Sequence, residues 1–159
     1  MGFYNQVPAA RRDAILYQGS SHSHFSWHLH GRAACADGYA DVKKNVDHAI
    51  TNYPSWFRNL MPLDIGWYAL GQEKISESDI EYVLCRSVGW ESSVGFSTSL
   101  EALESNPRTP AMLDLVATYE KLRLARHFPE EVREKLRRPG EYHLQPEGDG
   151  WKFVAPGER

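Results

Sequence analysis

Four histidines within nine residues are the densest chemistry in this sequence: His22, His24, His28 and His30, with Trp27 between the pairs and Arg32 just beyond them. In extended backbone, residues two apart point the same way. Each His-x-His pair can therefore set two imidazoles on one metal ion or on one substrate. Kept neutral, the same rings donate to hydroxyl groups, with Arg32 holding a carboxylate or the loop's own backbone. Packing and loop hydrogen bonds are the plainer use of all these side chains. No Asp-His or His-Glu set in the later chain completes a metal shell, and His48, His127 and His143 fall in an expected helix, helix end and hairpin. The reading therefore assigns His22, His24, Trp27, His28, His30 and Arg32 to substrate binding and assigns no metal. A metal-dependent hydrolase built on the two His-x-His pairs is the rival reading.

Three further positions fall near the ends of expected strands. Trp67 offers a flat apolar face with one N–H donor, suited to the apolar face of a sugar ring or to a place in the core. Ser97 can hydrogen-bond a hydroxyl or simply end a strand. Glu101, in SLEAL, is the candidate catalytic carboxylate, and it is equally placed to decorate the first turn of a short helix, where the dipole favours negative charge. Glycoside hydrolysis generally needs two carboxyl groups about 5 to 9 Å apart. Asp64 stands at the wrong end of its strand and reads as a turn or capping group. No GxGxxG, P-loop or GxSxG occurs, so no nucleotide site and no cofactor is expected.

The elements that must position these residues follow from the apolar pattern. Asp13 to Gln18 reads as a first strand entering the histidine loop, after a helix remnant and a turn. From about Tyr39 the text is helical, with Val42, Val46, Ala49 and Ile50 on one face. Tyr53 to Met61 suits a second short helical piece with Pro54 at its first position. Leu63 to Leu70 is an almost wholly apolar strand, as burial on both faces requires. Ser76 to Asp79 is a capping signal ahead of Ile80, Val83, Leu84 and Val88. Ser93 to Thr98 is a third strand. Thr109 as N-cap and Pro110 open the longest helix, whose stripe is Met112, Leu115, Val116, Tyr119 and Leu122. Glu130 to Arg138 is a charged, solvated segment, and a turn-rich Glu147 to Gly150 joins the arms of a hairpin.

Strand and helix alternate, with connections long enough for right-handed crossovers. The expected fold class is α/β: a partial (β/α) TIM-type barrel of about three parallel strands and crossover helices, followed by a C-terminal β-hairpin. Residues 1–138 form the barrel part and 139–159 the hairpin. Three strands do not close a barrel, so a missing barrel half or self-association is expected to cover the sheet edges. The chain's 159 residues suffice for one domain but fall short of the roughly 250 of a full eightfold barrel. A formal charge of −3 carries no footprint for nucleic acid, no apolar run is long enough to span a bilayer, and the first residues lack the order of a signal peptide. Cys35 and Cys85, fifty positions apart, exclude a zinc ribbon and read as buried free thiols or, less simply, one bridge.

The phrases SHFSWHLHGR, NYPSWFRNLMPLDIGWYALG and SDIEYVLCRSVGWESSVGFSTSLEAL carry a resemblance as well. They resemble the late strands of large bacterial carbohydrate-active proteins with glycoside-hydrolase-like TIM barrels, over roughly residues 10 to 155. The resemblance implies a domain that binds or hydrolyses a saccharide, with a small β-rich segment after the last barrel helix, matched by Glu141 to Val154. It implies that the early strands, where many such hydrolases carry acid/base carboxylates, have no counterpart here. A non-catalytic sugar-binding or structural segment is the remaining alternative.

Overall fold

The computed structural model describes residues 8–14, 18–19, 32–34, 41–52 and 63–157. After a 3-10 turn at Ala9–Ala14, the elements are β1 (Gln18–Gly19), β2 (Arg32–Ala34), α1 (Val42–Asn52), β3 (Leu63–Ala69), α2 (Glu77–Trp90), β4 (Ser93–Ser97), α3 (Leu100–Ser105), α4 (Thr109–Leu124), α5 (Glu130–Leu136), β5 (His143–Glu147) and β6 (Gly150–Val154). The molecule is a mixed α/β structure in which β1 to β4 pair in chain order, every neighbour parallel, while β5 and β6 form a separate antiparallel hairpin.

Two strand expectations change. Asp13 and Ala14 belong to the 3-10 turn, not to a strand; it follows Pro8, whose fixed φ suits a helical start, and Arg11 N donates to Pro8 O at 2.9 Å. The described strand residues are Gln18–Gly19, and 15–17 lie outside the described ones. Arg32–Ala34, expected as loop, is instead a strand that pairs with both neighbours, Gln18 opposite Arg32 and Ala33 opposite Leu63. Three residues are too few to show an alternation in sequence. The segment carrying His22, His24, Trp27, His28 and His30 thus joins two parallel strands, and those five residues lie outside the described ones, as do Cys35 and Tyr53 to Met61.

β3 is not a regular strand. Its register against β4 shifts between Asp64 and Trp67, and Gly66 there has a φ of 104°, which only glycine adopts without strain. Asp64, buried, holds the irregularity by accepting from Gly66 N at 2.9 Å and from Ser93 Oγ on β4. The bulge breaks the two-residue alternation. Ile65 and Tyr68 both turn inward, Tyr68 Oη donating to Ile65 O, and Trp67 is left on the open face.

α2 is the hub of the core. Ser76 caps it with both halves of a capping box, its Oγ accepting from Asp79 N while the Asp79 carboxylate accepts from Ser76 N. Residues 82–89 are buried without interruption because α1, α4, α5 and the sheet surround them. Gly89 lets α5 approach: a Cβ there would stand 2.8 Å from the Leu136 carbonyl carbon. α4 carries the expected stripe, with Met112, Tyr119 and Leu122 buried. Its start differs from expectation. Arg108 is the N-cap and Thr109 the first helical residue, since Asn106 has already turned the chain by bonding Arg108 N at 2.9 Å and Gly71 O through its amide. The hairpin's two-residue loop has Gly148 at φ 58°, a glycine at the first central position as a II′ turn demands.

Candidate functional site at the carboxyl end of the sheet

β3 and β4 are tied together where they end. Leu70 N donates to Ser97 O at 3.1 Å, and Thr98 Oγ1 donates to Leu70 O at 2.7 Å. Gly71, at φ 81°, turns the chain against α3, where a Cβ would meet Ala102 O at 3.0 Å. α3 therefore sits directly over the end of β3. Glu101 occupies its first turn, exposed, with Ser99 as N-cap accepting from Ala102 N.

Trp67 pairs in register with Gly95, and Ala69 with Ser97, so Trp67 and Ser97 are diagonal neighbours across the pair. Trp67 is 49% exposed. A Cβ at position 95 would lie 3.3 Å from its Cδ2, so glycine is what lets the indole rest against the adjoining strand. The result is an aromatic face with a serine hydroxyl beside it and a carboxylate on the helix above. Of the expected site residues, Trp67, Ser97 and Glu101 thus gather at one end of the sheet. Arg32, expected beside them, is not among them: it opens β2, and because Ala34 pairs with Asp64 its backbone lies at the other, amino end of the sheet.

Asp64 and Ser93 belong to the opposite, amino end, as the sequence suggested for Asp64. A second carboxylate facing Glu101 is absent among the described residues of β3 and β4. Nor do the described residues hold a group of three or more His, Cys, Asp or Glu placed for a metal ion.

One cluster looks reactive in a list of names and is not. Glu81 on α2 accepts from Tyr119 Oη at 2.8 Å and from Leu144 N at 3.1 Å, and its other oxygen lies 2.7 Å from His143 Nδ1. Cys85, one turn further along α2, has its sulfur 3.4 Å from Tyr119 Oη and donates to Tyr142 O. A nucleophilic cysteine must ionise. Here burial pushes the Cys85 thiol up to about 12, with the hydrogen bond it shares with Tyr119 only partly opposing it. Burial, then the neighbouring Cys85 and Glu81, likewise raise the Tyr119 phenol. The cluster fastens the hairpin to the helices.

A second network has the same character. Arg86, almost wholly buried, donates through Nη1 to Leu136 O at 2.9 Å and to Arg138 O, and through Nη2 to the Asp47 carboxylate. Tyr82 Oη donates to the other Asp47 oxygen at 2.7 Å. Neither network was read from the sequence, although an arginine inside the otherwise apolar run VLCRSVGW was the visible signal.

No family model, no curated protein and no solved structure matches this chain. No described helix is long and apolar enough to cross a membrane.

Proposed function

We propose that this chain is the later part of a (β/α) TIM-type barrel of the carbohydrate-active kind, and that the carboxyl end of its sheet contacts a saccharide. The observation that carries the reading is the half-exposed Trp67 indole resting on Gly95 beside Ser97. An indole presents an apolar face to the C–H face of a sugar ring, and a neighbouring hydroxyl supplies the directional bond. In parallel α/β sheets, ligands bind outside the carboxyl ends of the strands. Strands pairing in chain order, all parallel, support the barrel architecture. In this reading His22, His24, Trp27, His28 and His30 complete the ligand contacts, Arg32 stays at the far end of the sheet, and Glu101 is the acid/base carboxylate.

Glycosidic hydrolysis takes two carboxyl groups. Neither β3 nor β4 brings a carboxylate to this end of the sheet, and this favours binding without turnover as the second reading. One experiment separates the two. In a titration followed by the tryptophan indole N–H resonances, a panel of neutral and acidic oligosaccharides should include one that shifts the Trp67 signal. Trp67→Ala should weaken that ligand at least tenfold, about 1.4 kcal/mol. Turnover that Glu101→Gln abolishes assigns hydrolysis; binding with no turnover assigns a sugar-binding role. A Trp67 resonance unmoved by every glycan removes the saccharide reading.

β4 is the last strand in the sheet order, and its sequence SVGFS has no charge and no proline to discourage pairing. In the barrel reading it pairs with a further strand, from a longer chain or from a second copy. Light scattering on the 159-residue chain should show association that grows with concentration. A monomer across the whole range counts against this pairing.

A further inference from the structure

The hairpin does more than cover helices: between β5–β6, α5 and the connection that precedes α5 it encloses a cleft of about 530 Å³. That volume lies within the range of small-molecule sites, roughly 300 to 1,000 Å³. Its residues come from the far side of the helical layer and none from the sheet. The floor is apolar, formed by Phe128, Leu136 and Phe153, and the Phe128 and Phe153 rings lie 4.7 Å apart at a tilt of 51°. Tyr142 and Trp151 form the walls, and Trp151 is 36% exposed. Such a wall is specific for flat apolar groups rather than merely greasy, because aromatic rings reward offset or edge contact with another ring.

The rim is unequal in charge. Lys152 is already neutralised by Glu147 at 3.0 Å across the hairpin. Lys135, exposed on α5, also lines the cleft and has no acidic partner among the described residues. The cleft therefore combines an aromatic interior with a lysine that has no acidic partner among the described residues. We propose that it binds a small amphipathic anion, a flat apolar body bearing a single carboxylate, with the body against Trp151 and Tyr142 and the carboxylate on Lys135. A charge-assisted contact of this kind discriminates the anion from its neutral analogue.

The test uses the full chain and probes that contain no sugar, so its outcome is independent of the saccharide reading at the sheet. Indole-3-acetate and its neutral amide, indole-3-acetamide, are titrated calorimetrically. The carboxylate should bind about tenfold more tightly than the amide, a preference worth about 1.4 kcal/mol. Lys135→Gln should erase that preference while leaving the affinity for the amide unchanged. Lys135→Glu should invert it, so that the cation tryptamine binds better than indole-3-acetate. Trp151→Ala should weaken all three probes together. Absence of binding by either indole at millimolar concentration, or a carboxylate preference that survives Lys135→Gln, overturns the proposal. Because Lys135 is exposed, both charge variants keep the fold, and an unchanged near-ultraviolet dichroism spectrum verifies it.

Discussion

Arg86 shows how one residue can serve as structure where chemistry would be expected. Its guanidinium reaches three acceptors on two other segments: Asp47 on α1, and the carbonyls of Leu136 and Arg138 at the end of α5. The planar fork satisfies several acceptors at once, which a lysine cannot do. Removing one partner of a buried pair leaves the other uncompensated, a change that commonly costs about 3–5 kcal/mol; Asp47 keeps some solvent contact, so the lower figure is expected here. Arg86→Met should lower stability by about 3 kcal/mol in urea denaturation, and Arg86→Lys should recover less than half. A loss under 1 kcal/mol would show that the carbonyls and Asp47 find water instead. The ion pairs of Arg133 and Arg137 with Glu130, and of Arg133 with Glu91, then hold the outer face of α5. They are partly exposed and add little individually.

Among the elements, the hairpin is attached by polar bonds as well as by its apolar side chains. Glu81 receives Tyr119 Oη, Leu144 N and His143, and so joins α2, α4 and β5 through one carboxylate. Glu81→Ala should cost about 2–3 kcal/mol, because hydrogen bonds to a charged acceptor are lost and buried donors are left unmade. The loss should be local. Hydrogen exchange at the Leu144 amide should accelerate more than at the amides of α2, which keep their own helical bonds. Equal acceleration at both would mean that hairpin and helix open as one unit. Capping explains the other firm element boundary. The Ser76 capping box was legible in sequence because both of its bonds are made within four residues. Thr109 is not the cap because Asn106, reaching back to Gly71 thirty-five positions away, sets where the helix begins.

For the molecule as a whole, three buried acids share one sign of response to pH. Burial raises the Cys85 thiol from 9.0 to about 12 and the Tyr82 phenol from 10.0 to about 12, and Tyr119 moves the same way. Each is kept neutral by the fold, whereas the unfolded chain releases the proton at the ordinary value. Their contribution is therefore complete below pH 9 and is lost as pH rises toward 12. The urea midpoint should hold steady to about pH 9 and then fall, and Cys85→Ala should delay the onset toward the phenol range. A midpoint that stays level through pH 11 would contradict the burial of all three groups. Packing explains why the groups coincide: α1, α4, α5 and β4 all contact α2 and the hairpin bonds to it, so its residues 82–89 are buried.

Sequence by itself determined what is local. Apolar spacing placed α1, α2, α4, β3 and β4, since a helix or strand buries whichever face its own period makes apolar, and the glycine-rich Glu147 to Gly150 placed the hairpin. Sequence also gathered Trp67, Ser97 and Glu101 near strand ends. Only the tertiary structure decided that Trp67 faces outward, because the bulge at Gly66 shifts the strand's alternation by a contact with β4 that no neighbour in the chain foretells. It decided equally that Arg86, Glu81 and Cys85 are fasteners, and that the hairpin closes a cleft with Lys135 at its mouth. Those outcomes depend on partners tens of residues distant, and a one-dimensional pattern records a residue's own preference, not the group that will meet it.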